Sequence, residues 1–179
     1  MKSLSKLVII IFLGLVSCKN VSDKNSEPKI NTEYNKLGLD DKSTLLLNSE
    51  HNSWLKENYG FEKWEPNAKD IQIVQEVIDL AIKKDEFYFL EKPIKENLEK
   101  YYRQYIPYID KNGGRIIEVS AFCEILEYPP EPDSKSAEWT KMDWKNEFVE
   151  VEDGGKCYWQ IKINLDNKEY FDLGINPLG

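Results

Sequence analysis

The chain has 179 residues, enough for one ordinary domain and a short leader or tail but not for two full domains. A hydrophobic fraction of 41% with 12% aromatics supports a real core, while 31% charged residues excludes a polytopic membrane protein. A formal charge of -8, two arginines (Arg103 and Arg115), one histidine (His51) and three cysteines argue against a basic nucleic-acid groove, a histidine-rich zinc site and a dense disulfide scaffold.

The first segment is a leader pattern. Lys2 and Lys6 form a positive n-region, and residues 7–16 are a continuous apolar run, too short to span a bilayer, which needs about 20 residues. Leu15-Val16-Ser17-Cys18 follows directly. This resembles the lipobox of bacterial lipoproteins. The resemblance implies cleavage before Cys18 (1–17 being the signal peptide), a diacylglyceryl thioether on its thiol and often an acyl group on its new amino group. An ordinary signal peptide with a chance cysteine, or an uncleaved hydrophobic helix, are the competing readings. Two or three acyl chains hold a protein stably at a membrane where one does so marginally. Removing the leader takes Lys2 and Lys6 and no acid, so 22 basic residues face 32 acidic ones, and an acidic body is repelled by anionic headgroups. Residues 18–29, polar and ending near Pro28, read as a flexible tether. Lys19 stands where aspartate resembles an inner-membrane retention signal, so outer-membrane delivery is the expectation, with the membrane as partner through the lipid.

Residues 30–179 read as a single α+β domain whose first part, 30–65, is irregular, with an apolar run at 45–47 and a short helix over 51–59. Asn67 and Asp70 form an N-cap signature, and the apolar positions over 68–84 cover roughly 200° of a helical wheel. A long helix lying on a sheet is expected. After a weakly helical stretch at 94–100, residues 101–109 have strand chemistry, and Asp110-Lys111-Asn112-Gly113-Gly114 is a hairpin turn. In the return strand Ile117, Val119, Ala121, Cys123 and Ile125 share one phase, opposite Glu118, Ser120 and Glu124. The proline-rich stretch 129–136 must be a loop. Strands at 148–152, 156–164 and 169–175 then form a meander whose middle member alternates Cys157, Trp159, Ile161, Ile163 with Lys156, Gln160, Lys162, Asn164, so that one face, carrying Cys123 and Cys157, is buried and one is wet. The expected fold is one long helix packed on an antiparallel sheet of about five strands, in the order helix, hairpin, loop, meander.

That arrangement resembles the cystatin-like α+β architecture, a likeness of outline that implies no activity. Tyr102-Arg103-Gln104-Tyr105 before the hairpin, and Asp153-Gly154-Gly155-Lys156-Cys157-Tyr158-Trp159 with Tyr170 downstream, look like a family of small uncharacterised secreted bacterial proteins over residues 64–179. This likeness implies a fold and a compartment and no reaction.

Cys123 and Cys157 are an even pair in an exported chain and are expected to bond to each other, with two buried free thiols as the alternative; their wide spacing speaks against redox catalysis. His51 is a candidate general base without a nucleophile-elbow serine, and reads more simply as an exposed or capping residue. Asp40-Asp41 and Glu150, Glu152 and Asp153 suggest calcium binding or acid-base work, but 110–113 and 166–168 lack the downstream ligands of a calcium loop. No metal or cofactor is implied. Arg103, flanked by tyrosines, either pins an anionic ligand or pairs with Glu118 across the hairpin. Trp139 and Trp144, with Met142 between them, either form an exposed anchor for a partner or fold back to cap the core. The leading functional expectation is a non-enzymatic, lipid-anchored envelope protein that binds a protein or peptide near Trp139. An envelope inhibitor or immunity-type protein is the alternative, and a hydrolase is disfavoured because no nucleophile, base and orienting group assemble.

Overall fold

The computed structural model describes residues 36–130, 132 and 138–177. The leader, Cys18 and the 18–29 tether lie outside the described residues. The elements are β1 (Ser43–Leu45), α1 (Glu50–Tyr59), α2 (Ala68–Lys83), α3 (Ile94–Leu98), β2 (Tyr102–Ile109), β3 (Arg115–Phe122), β4 (Glu127–Tyr128), β5 (Thr140–Lys141), β6 (Tyr158–Asn164) and β7 (Glu169–Ile175), with a 3-10 turn at Gly155–Cys157 before β6.

The long helix forms where its cap and apolar period place it. Asn67 Oδ1 accepts the Lys69 N–H at 2.8 Å and Asp70 Oδ2 accepts the Asn67 N–H at 2.9 Å, satisfying donors that the first turn cannot. Ile71, Val74, Val77 and Ala81 of α2 are buried with Tyr105, Ile117, Val119, Ala121, Ile161 and Ile163 from one face of the sheet. Each large aliphatic group so removed from water contributes about 1.5 to 3 kcal/mol. Leu80 stays exposed, so the buried stripe is narrower than the apolar wheel suggests. The β2–β3 hairpin turns as expected: Asp110 Oδ1 accepts from the N–H groups of Asn112 and Gly114, and Gly113 takes a φ of 82° that a side chain would disfavour.

Three expectations are corrected. The five-stranded sheet runs β1-β2-β3-β6-β7 and is mixed, because β1 pairs parallel to β2, Thr44 opposite Gln104. Its fifth strand is therefore the apolar run near residue 45, and residues 148–152 form no strand. The expected outline of one long helix on the sheet is widened: α1 and α3 form where the short helix over 51–59 and the weakly helical stretch at 94–100 are read, and α1 packs on the other face through Leu55.

That other face, expected to be wet, is covered. Leu46, Leu55 of α1, Ile106, Tyr108 and Ile116 make one cluster, and Phe122, Met142, Trp144, Val149 and Tyr158 another. Residues 142–151 cross this face as a strap without a strand ladder. Gln104, fully buried on β2, replaces the ladder: its Nε2 donates to the Trp144 and Glu147 carbonyls, each at 2.6 Å, and its Oε1 accepts the Val149 N–H at 2.9 Å. Thr44 adds a bond from Oγ1 to the Lys145 carbonyl at 3.0 Å. Buried backbone groups need partners wherever they lie, and here side chains supply them.

Cys123 and Cys157 are bonded, with Cα atoms 5.1 Å apart. The shared core-facing phase expected of them is not observed. Cys123 follows the last residue of β3 and is exposed, and Cys157 is half-buried in the 3-10 turn, so the bond staples the end of the sheet rather than its core.

Candidate functional site

The covered second face carries a broad open concavity. Ser49 opens α1 with a capping box to Asn52, whose Nδ2 also donates to the Leu46 carbonyl at 3.1 Å, so the first turn of the helix is tied to the end of β1. This fixes His51 and Trp54. The His51 ring stacks on Phe148 of the strap with centroids 3.8 Å apart and planes at 14°, and Trp54 stacks beyond it at 5.7 Å. Trp54, Tyr59, Phe61 and Tyr108 continue the ring contacts down to the buried face. Of these rings His51, Trp54 and Phe148, together with Tyr128 and Met142, line an open trough of about 820 Å³. Its acidic lining residues are Glu50, Glu147 and Glu150, and among the described residues no lysine or arginine lines it.

A smaller cleft of about 240 Å³ shares His51, Phe148 and Glu150 with the trough and reaches Glu118, Ser120 and Gln160 on the sheet. Burial brings the His51 imidazole down to about 4, helped by the positive charge of Lys162, so the ring is neutral at pH 7. Its Nε2 is buried without a hydrogen-bond partner. Burial raises the Glu118 carboxyl; Lys162, opposite it on β6, pulls the other way, and Asp172 adds to the rise. Lys162 itself pairs with Asp172 at 3.1 Å. Ser120 and His51 border the same cleft, yet no hydrogen bond of a nucleophile-base kind reaches the His51 Nε2.

The structure separates the residues singled out in the sequence. Trp139, beside β5, is 61% exposed. Trp144 is 7% exposed, edge-on to Tyr102 at 5.1 Å and to Phe122 at 5.8 Å, which corrects its place in an exposed anchor: it caps the second-face core. Arg103 lies on the opposite side of the sheet. It does not pair with Glu118, because the register sets Ala121 opposite Arg103 and Ile106 opposite Glu118, and the two side chains point to different faces. Its partner is Asp40. Burial alone would raise the Asp40 carboxyl, but the Ser43 hydroxyl, donating at 2.6 Å, and the Arg103 guanidinium outweigh it and hold it below the usual range.

Arg103 borders a third concavity, a cleft of about 300 Å³ between α2, α3 and the sheet, walled by Ile78, Ile82 and Leu98 and including Tyr105 and Trp159. Among the described residues no group of three or more His, Cys, Asp or Glu is arranged to hold a metal ion, and no helix is long and apolar enough to cross a membrane. Asp40 was singled out in the sequence only within an acidic pair and not as the partner of Arg103, and neither Gln104 nor Phe148 was read as a site residue. A polar Gln104 in the phase of Ile106 and Tyr108 was the available signal. Comparison with protein-family models, curated proteins and solved structures finds no match for this chain.

Proposed function

We propose that this chain is a bacterial lipoprotein held at the cell envelope through Cys18, and that its domain is a non-enzymatic binding module whose trough takes a basic, extended segment of a partner protein. The trough carries the reading: aromatic rings supply apolar contact area at low entropy cost, and Glu50, Glu147 and Glu150 supply a field for a cationic partner. Exposed Trp139 precedes Thr140, which pairs with Tyr128 of the trough across the β4–β5 ribbon. The Cys123–Cys157 bond fits an oxidising compartment outside the cytoplasm, as the lipobox resemblance implies. The α2 helix lying on the antiparallel run β2-β3-β6-β7 supports a likeness to the cystatin-like outline, on which β1, α1 and the strap are additions.

Two measurements test the two halves of the proposal. Intact mass and detergent phase partitioning of the exported protein are expected to show acyl mass on the wild type and its loss in Cys18→Ala; a water-soluble wild type without acyl mass overturns the anchor. Panning a peptide library on the full chain carrying Cys18→Ala is expected to enrich lysine- and arginine-rich sequences, whose binding the triple substitution Glu50→Lys, Glu147→Lys, Glu150→Lys abolishes with the melting temperature retained. Enrichment without charge preference, or binding that survives the triple substitution, overturns the trough as the site.

A further inference from the structure

We propose that the trough selects arginine over lysine in its partner, taking the guanidinium flat against Trp54 and Tyr128 and pairing it with the carboxylates that line the same trough. The inference rests on the trough reading above and names the residue type which that reading leaves open.

The rings argue for a flat cation. Trp54 and Tyr128 are 46% and 47% exposed, so both have ring surface to give to a partner, whereas His51 and Phe148 are half-buried. His51 lies at 17° to Trp54 and 14° to Phe148, and all three rings hang on a helix with a capped first turn and on the strap against it, so Trp54 is oriented before anything binds. Among the described residues the chain's own cations lie over Tyr102, Tyr170, Trp64 and Trp144, and none lies over a ring of the trough.

The charges argue for a fork. Glu50, Glu147 and Glu150 are exposed, and among the described residues none of the three enters an ion pair. Lys63 donates to Asn48 Oδ1 on the lining, at 2.6 Å, and to none of these carboxylates. Neutral His51 adds no positive charge. An ammonium in so open a trough stays hydrated, and its exposed ion pairs are screened. A guanidinium is planar, more weakly hydrated and bidentate, so it uses ring and carboxylate together.

The molecule makes this arrangement once from its own residues. Arg115 lies with its Cζ 5.6 Å from the Trp64 ring centroid and donates to Asp166 at 2.8 Å and to Asp70 at 3.1 Å. Arg103, the other arginine of the chain, is committed to Asp40. An arginine for the trough therefore comes from a partner.

The test titrates the full chain carrying Cys18→Ala with glycine-serine peptides of equal length whose variable positions hold arginine, lysine or citrulline, the last keeping the planar head without the charge. The arginine peptide is expected to bind at least about fivefold more tightly than the lysine peptide, and the citrulline peptide most weakly. Trp54→Leu and Tyr128→Leu keep apolar area at exposed positions and remove the ring face. Each, with its melting temperature retained, is expected to bring the arginine peptide to within about twofold of the lysine peptide. Equal affinity for arginine and lysine peptides, both lost in the triple glutamate substitution, would overturn the selection and leave the trough reading intact. No binding of either would overturn both. An arginine preference that survives a ring variant, or citrulline binding as tightly as arginine, would also overturn the proposal.

Discussion

His51 and Glu118 border one cleft with opposite proton preferences, and the pH dependence of stability separates them. The folded imidazole titrates near 4 against an unperturbed value near 6.5. Between those values the unfolded chain binds the extra proton, so this residue's contribution is full above about 6.5 and is lost as pH falls toward 4. Glu118 has the reverse sign. Its folded carboxyl is raised by burial, so the folded state holds the proton more tightly, and its contribution, full below the unfolded value, is lost as pH rises through the folded one. Acidification from pH 7 therefore weakens the protein through His51 while strengthening it through Glu118. Denaturant titrations from pH 7 to 4 are expected to show a smaller acid loss in His51→Gln, by about 1 to 2 kcal/mol after allowing for partial solvent screening. The acid loss is expected to be steeper in Glu118→Gln. Matching slopes in the two variants would remove the cleft as the source of the pH response. Neither shift was legible in the sequence, where His51 reads as a loop or capping residue, because its burial is set by Phe148, 97 positions away.

At the scale of elements, what could be read and what could not divide along the range of the interactions. Helix α2 and the β2–β3 hairpin announce themselves through a cap, a period and a turn, all local. Strand β1 is three residues long and its direction is fixed by β2, some 60 positions on, so no local period could show it to be parallel. Residues 148–152 were read as a strand because Phe148, Val149 and Val151 have strand chemistry, but the Val149 N–H goes to the Gln104 side chain, which also holds the Trp144 and Glu147 carbonyls of the strap. Gln104→Leu should then strand two carbonyls and an N–H, lowering stability by about 2 to 4 kcal/mol and raising hydrogen exchange selectively over residues 142–151. A loss below about 0.5 kcal/mol would show that the strap holds by packing alone. The two tryptophans give the matching contrast: Trp144→Ala is expected to cost about 3 to 5 kcal/mol and Trp139→Ala less than about 0.5. Equal losses would contradict their opposite burial.

On the scale of the whole molecule, the disulfide spans a sequence separation of 34 residues, and the loop it closes contains the β4–β5 ribbon and the strap. In the chain-entropy description such a closure contributes about 3 to 4 kcal/mol. Because the α2 side of the sheet gains nothing local from the bond, reduction is expected to lower the melting temperature and to loosen residues 142–151 before the α2 core. Thermal melts with and without reductant, followed by exchange mapping, check this; uniform loosening of both faces would count against it. Composition and spacing made the pair itself legible, whereas its surface position was not, since the strands end one residue short of the cysteines.

Strand β7 closes the sheet at its far edge, and it is irregular: the register with β6 shifts between Gln160 and Lys162, and Asp172 adopts a φ of 51°. An open edge is a template on which a second chain can add its own strand. Molecules crowded in the plane of a membrane by N-terminal lipids would meet edge to edge far more often than molecules in bulk. The kink at Asp172 breaks the row of amide and carbonyl groups before a neighbour could zip along it, and Phe171 and Ile175 stay exposed on a strand that cannot be extended in register. Under the proposed lipid anchoring, this edge would keep crowded copies separate.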